Sequence, residues 1–198
     1  MATVGDREHR SADPLLASPP RALVLRLGDW IARGALAGLA AGLTFLLAEM
    51  AWATRSGLPG VAPMLDMSTI FHGTNKPTMD PMLIPADVVI GFVTHLNLSM
   101  AFGIGFALLT PLFRNALVLL IAGIAYGIAL YVVNIQILGR VFFEWFTSPM
   151  IDQSFQFFIH AVYGLLLVPF FLGTVTRLRA SAAEDAARPV AGSETRVP

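Results

Sequence analysis

Four apolar runs, each more than 20 residues long, constrain this chain more than any other feature: Trp30 to Ala53, Pro85 to Leu109, Asn115 to Leu138, and Phe155 to Val175. A helix rises about 1.5 Å per residue, so about 20 residues cross the roughly 30 Å of a bilayer's hydrocarbon core. In hydrocarbon, backbone N–H and C=O groups must be satisfied within the segment, which a helix achieves. Helices buried inside a water-soluble protein are the competing reading. Against it, 56% of the residues are hydrophobic and only 13% charged, and almost none of that charge falls within the runs. The expected fold is all-α, an integral membrane four-helix up-down-up-down bundle over residues 21–179. Residues 1–20 and 180–198 show no apolar period and are expected to be disordered cytoplasmic tails, the first without the apolar stretch of a signal peptide.

Thirteen basic and thirteen acidic residues balance, so no field draws the chain toward nucleic acid. The absence of cysteine excludes disulfides, thiolate zinc sites, iron-sulfur clusters and c-type haem. Histidine, carboxylate or methionine must then hold any metal. Basic residues are retained on the cytoplasmic face. Arg21, Arg26, Arg33, Arg114, Arg177 and Arg179 gather at one end of the spans, against Arg55, Lys76 and Arg140 at the other, so both termini are expected in the cytoplasm of a bacterial inner membrane. Arg21 to Trp30 alternates Arg with Leu and Val, which suits either a short interfacial helix or a plain linker.

The outer connections are long and apolar. Residues 55–84 carry Pro59, Pro63, Pro77 and Pro81, a density that opposes a long helix, and residues 140–154 carry Phe142, Phe143, Trp145 and Phe146. Both are expected to cap the outer end of the bundle. Met64, Met67, Met79 and Met82 are soft donors that would suit copper(I), although methionine also serves as apolar filler.

The chain also repeats itself. Ala37 to Met50 (AGLAAGLTFLLAEM) aligns without gaps on Ala122 to Ile135 (AGIAYGIALYVVNI), setting Gly38 on Gly123, Gly42 on Gly127 and Glu49 on Asn134. More weakly, His95 falls on His160 and Ser99 on Gly164. A helical hairpin duplicated in one orientation would account for this, with a pseudo-twofold axis along the membrane normal. Small residues four apart, Gly34, Gly38 and Gly42 in one span and Gly123 and Gly127 in another, would let helix backbones approach closely.

Those small-residue stripes run on to Glu49, His95, Asn134 and His160, which are expected at one depth in the outer half of the membrane and turned into the bundle. Ionisable groups there are costly, so three uses compete. A structural network would have Glu49 accept from a histidine with Asn134 bridging. Haem b or a divalent metal would be ligated by His95 and His160, with Glu49 a third metal ligand or, together with Asn134 and Ser99, a supporting group; the macrocycle would pack against Gly91, Ser99 and Gly164. A proton or small-solute path would use the same groups, with Asp87 and Asp152 at the outer mouth. An accessory role in a larger membrane complex or a homo-oligomer would need only the lipid-facing surface. His72 is expected to be a solvated loop residue.

No nucleophile, base and carboxylate stand at recognisable spacing, so a non-enzymatic role is expected. The stretches AGLAAGLTFLLAEM, HLNLSMAFGIGFALL, YGIALYVVNIQIL and FIHAVYGLLL resemble those of a loose group of small uncharacterised bacterial four-helix inner-membrane proteins. That resemblance implies the topology and no activity.

Overall fold

The computed structural model describes residues 20–173 except Met79 and Arg114, with side chains from Leu27 onward. The expected tails, apart from Pro20, lie outside the described residues, as do Arg177 and Arg179. Among the described residues the structure is helical throughout, with no strand, and four of its helices are long and apolar enough to cross a membrane.

The first, α1 (Pro20–Arg55), is one continuous helix. The segment expected as a separate interfacial helix or linker is its first turns, since Leu, Arg and Val are adequate helix formers and no proline follows Pro20. Next comes α2 (Ala62–His72), a helix in the loop where proline density argued against a long one. It forms because Pro63 occupies the first turn, where a missing N–H costs nothing, and because Gly73 ends it in the left-handed conformation, φ 64°.

The second long helix, α3 (Ile84–Leu109), matches its expected span. The third begins as α4 (Ala116–Tyr131), capped by Asn115 Oδ1 accepting from Val118 N–H. It then widens into a π-helix over Val132–Gly139 and closes with the single turn α5 (Arg140–Phe142). The fourth, α6 (Gln153–Leu167), is capped by Asp152 and tightens to a 3-10 turn at Val168–Phe170, because Pro169 has no N–H to continue it. The regular α-helix stops at Leu167, Leu172 and Gly173 are again helical, and the expected end of the span at Val175 lies outside the described residues.

Packing follows the small residues. A Cβ on Gly38 would strike the Ser99 carbonyl oxygen, and one on Gly103 would strike that of Gly34. Position numbers rise along α1 as they fall along α3, so the two helices are antiparallel with backbones in contact. The pair α4 and α6 repeats this arrangement: Gly123 and Gly164 meet backbone to backbone, and Gly127 meets the His160 carbonyl. The contacts Gly38 to Ser99 and Gly123 to Gly164 occupy matched positions of the internal repeat.

Two hydroxyls join the hairpins. Tyr163 of α6 donates to the Ser99 carbonyl (2.7 Å), and Tyr126 of α4 donates to the Phe102 carbonyl (2.8 Å). At the end of the bundle that holds Trp30 and Phe171 the core is solid. Phe106, Leu119, Leu167 and Phe171 are fully buried there, and Trp30 stacks on Phe171 with centroids 6.1 Å apart. Many side chains on the outward flanks are apolar and exposed, Leu36, Leu47, Val89 and Phe158 among them.

Candidate functional site

Toward the opposite end the bundle is hollow. A cavity of about 400 Å³ lies between α1, α3, the π segment and α6, under a lid made by α2 and the 143–151 connection. Glu49, His95, Ser99, Asn134 and His160 all line it, each at the end of the small-residue stripe that led to it. Most of the remaining wall is apolar, with the rings of Phe45, Phe102 and Tyr163 prominent.

The two histidines are buried, 7% and 8% exposed, and each spends one ring nitrogen on a backbone carbonyl. His95 Nε2 donates to Gly42 O across the α1–α3 seam at 2.9 Å, with Ser99 Oγ 3.4 Å from the same nitrogen. His160 Nδ1 donates to Gln156 O one turn back on its own helix at 2.7 Å. Phe45 lies beside both rings, its centroid 5.6 Å from His95 and 5.0 Å from His160. His160 Nε2 has no protein partner among the described residues and is not sealed from the cavity.

Glu49 takes its hydrogen bond from Gln156 Nε2 (2.8 Å), not from a histidine, and Asn134 does not bridge the layer. The network expected from the ionisable residues is thus replaced by helix-to-carbonyl ties plus a glutamine. The π-helix carries Asn134 to the wall. A Gln136 to Tyr131 bond (2.6 Å), five residues apart as suits i→i+5 winding, locks that helix, and Gln136 also donates to Gln153 of α6 (3.0 Å). Gln136, Gln153 and Gln156 do not ionise, so a pattern of titratable residues in the sequence leaves them out. Gln156, three and four residues from Ile159 and His160 on an amphipathic helix, carried the signal.

The lid is organised by Asp66. Its Oδ1 accepts from Trp145 Nε1 at 2.6 Å, joining the two outer connections, and burial pushes this carboxyl up to about 6 against the pull of the indole N–H. Beyond Glu49 and Asp66 a second pocket of about 120 Å³ opens outward. Both carboxylates, with Pro63, Ile151 and Gln156, line the two spaces and so form the boundary, or doorway, between them.

Other expected residues have different employment. His72 is not a free loop residue: its Nε2 pairs with Asp87 at 2.9 Å and clips the end of α2 to the start of α3. Asp152 is occupied as the cap of α6, accepting from Ser154 and Phe155 N–H groups. Met64 is buried against Gly91 of α3, Met67 faces the cavity, Met82 is 88% exposed, and Met79 lies outside the described residues.

The haem arrangement fits the geometry poorly. Each small position meant for the macrocycle is filled by neighbouring backbone: Gly91 by Met64, Ser99 by Gly38, and Gly164 by Gly123. His95 commits Nε2 to a carbonyl. Among the described residues no group of three or more His, Asp or Glu side chains stands close enough to hold a metal ion. Comparison with protein-family models, with curated proteins and with solved structures finds no match for this chain.

Proposed function

We propose that this chain is a polytopic membrane protein that binds a small, mainly apolar molecule in the outer half of its bundle. It crosses a bacterial inner membrane four times in up-down-up-down order, with both termini cytoplasmic and lipid against the exposed apolar flanks. The observation that carries this reading is the cavity of about 400 Å³, an apolar space with a few converging polar groups and of a size usual for small-molecule sites. A structural polar layer needs no such space. The packed core around Phe106 and Phe171 argues against a path through the inner half.

Binding of 1-naphthylmethanol, followed by fluorescence with the protein in phosphatidylcholine nanodiscs, tests the reading. Saturable binding by the wild type that Leu130→Trp abolishes by filling the cavity is expected. Equal behaviour of the two proteins, or no saturation, overturns it. Topology is accessible because the chain has no native cysteine. Lys76→Cys should react with an impermeant maleimide from outside the cell and Leu112→Cys should not; the reverse pattern inverts the orientation.

A second reading, iron or another metal held by His160 alone, is favoured by one feature. Its Nδ1–H on the Gln156 carbonyl fixes the ring as in ligating histidines and leaves Nε2 toward the cavity. Stoichiometric metal in purified protein, lost in His160→Ala, would establish it; its absence removes it.

A further inference from the structure

The doorway carries more information about the ligand than the cavity walls do. Glu49 and Asp66 come from different elements, α1 and α2, yet both border the inner cavity and the outer pocket, close enough to interact electrostatically. Each accepts from one neutral donor, Gln156 Nε2 or Trp145 Nε1, and neither accepts from a Lys, Arg or His side chain among the described residues. The second oxygen of each, Glu49 Oε2 and Asp66 Oδ2, has no protein partner there and is not sealed in. Buried carboxylates without a counter-charge are expensive, and two beside one opening are more so. A bare divalent ion would find too few ligands, since no group of three or more His, Asp or Glu side chains converges among the described residues.

Behind the doorway lies a surface suited to a cation with an apolar body. Phe45, Phe102 and Tyr163 line the cavity and offer aromatic surface to the ligand's apolar body. His160, 8% exposed, presents an unpartnered Nε2 to the same space. A carboxylate ligand would meet Glu49 and Asp66 at the boundary of the two spaces, with no Lys or Arg lining either to offset them.

Resting on the binding function above, we propose that the cavity takes an amphipathic amine: an apolar body against Phe45, Phe102 and Tyr163, and an ammonium head hydrogen-bonded between Glu49 and Asp66 at the doorway. The neutral donors Gln156 and Trp145 hold the two carboxylates in place without cancelling their charge. The ligand supplies the charge that the protein omits.

Three probes that share one aromatic body and differ in head charge test this in the nanodisc assay: 1-naphthylmethylamine, 1-naphthylmethanol and 1-naphthylacetate. At about pH 7.5 the amine is expected to bind about tenfold or more tighter than the alcohol, with the acetate weakest. Glu49→Gln with Asp66→Asn keeps both hydrogen-bond acceptors and should erase the preference for the amine over the alcohol, both measured in that variant. If that double variant does not fold, Asp66→Asn alone should remove a measurable part of the preference. Alcohol binding without preference for the amine, or a preference that survives the substitutions, overturns the amine proposal and leaves the binding function standing. Failure of all three probes to saturate overturns both. Repeating the titration with phosphatidylethanolamine in the disc separates the two sources of such a head group: a lipid amine competes with the probe, and a soluble amine does not.

Discussion

Replacing Asp66 by Asn should make the protein more stable near neutral pH and leave it unchanged in acid. Burial raises this carboxyl from 3.8 to about 6, with the Trp145 N–H as a smaller opposing pull. A difference of about two units corresponds to about 3 kcal/mol between the protonation states. Below the ordinary value the folded and unfolded chains both carry the proton, and the full stability is present. As pH rises from about 4 toward 6 the unfolded chain ionises first, so stability drains away; once pH passes the folded value of about 6, the loss is complete. Asparagine offers the same acceptor oxygen to Trp145 and has nothing to titrate. The comparison is a melting curve in detergent at intervals from about pH 4 to about pH 7.5, wild type against Asp66→Asn with Glu49 intact in both. The two should coincide at the acid end. The variant should melt higher at the neutral end by several degrees, taking roughly 2–4 °C per kcal/mol for a chain of this size. A gap that stays level across the range, or a variant less stable at neutral pH, refutes the argument that burial dominates at the lid.

The glycine contacts predict a sharp asymmetry. Gly127→Leu, whose Cβ would collide with the His160 carbonyl, should cost more than about 3 kcal/mol and scatter the protein on size exclusion, while Gly28→Ala, with nothing within 4 Å, should be neutral or stabilise by up to about 1 kcal/mol. Tyr163→Phe removes the hydroxyl held by the Ser99 carbonyl at 2.7 Å and should lower stability by about 1 kcal/mol. Adding Tyr126→Phe, which frees the Phe102 carbonyl, should roughly double the loss, and a much smaller loss for the pair would show that the hairpins do not depend on these ties. Trp145→Phe removes the donor that opposes burial at Asp66, so the fall in stability with pH should extend to higher pH than in the wild type; an unchanged midpoint would count against the indole's role.

Much of the fold was legible because hydrocarbon-length apolar runs admit few structures. The chain by itself determined four long helices, the faces on which glycine brings backbones together, and the drift of Glu49, His95, Ser99, Asn134 and His160 toward one space. Periodicity suffices for that, since residues four apart share a helix face whatever lies opposite. Partners across the bundle were not legible, because they depend on the register between helices separated by up to about a hundred residues of chain. Tertiary structure alone decided that Glu49 meets Gln156, 107 residues away, and that His95 meets the Gly42 carbonyl. It also decided that Phe45 packs beside both imidazoles, and that Met64 and Gly123 fill the slots a macrocycle would need. The doorway is the furthest from sequence: Asp66 lies in a proline-rich loop that gave little sign of a helix, and only the packing of α2 over the bundle sets its carboxyl beside that of Glu49. Local propensity places a residue on a face, whereas the pairing of two buried charges is settled only where the helices close around them.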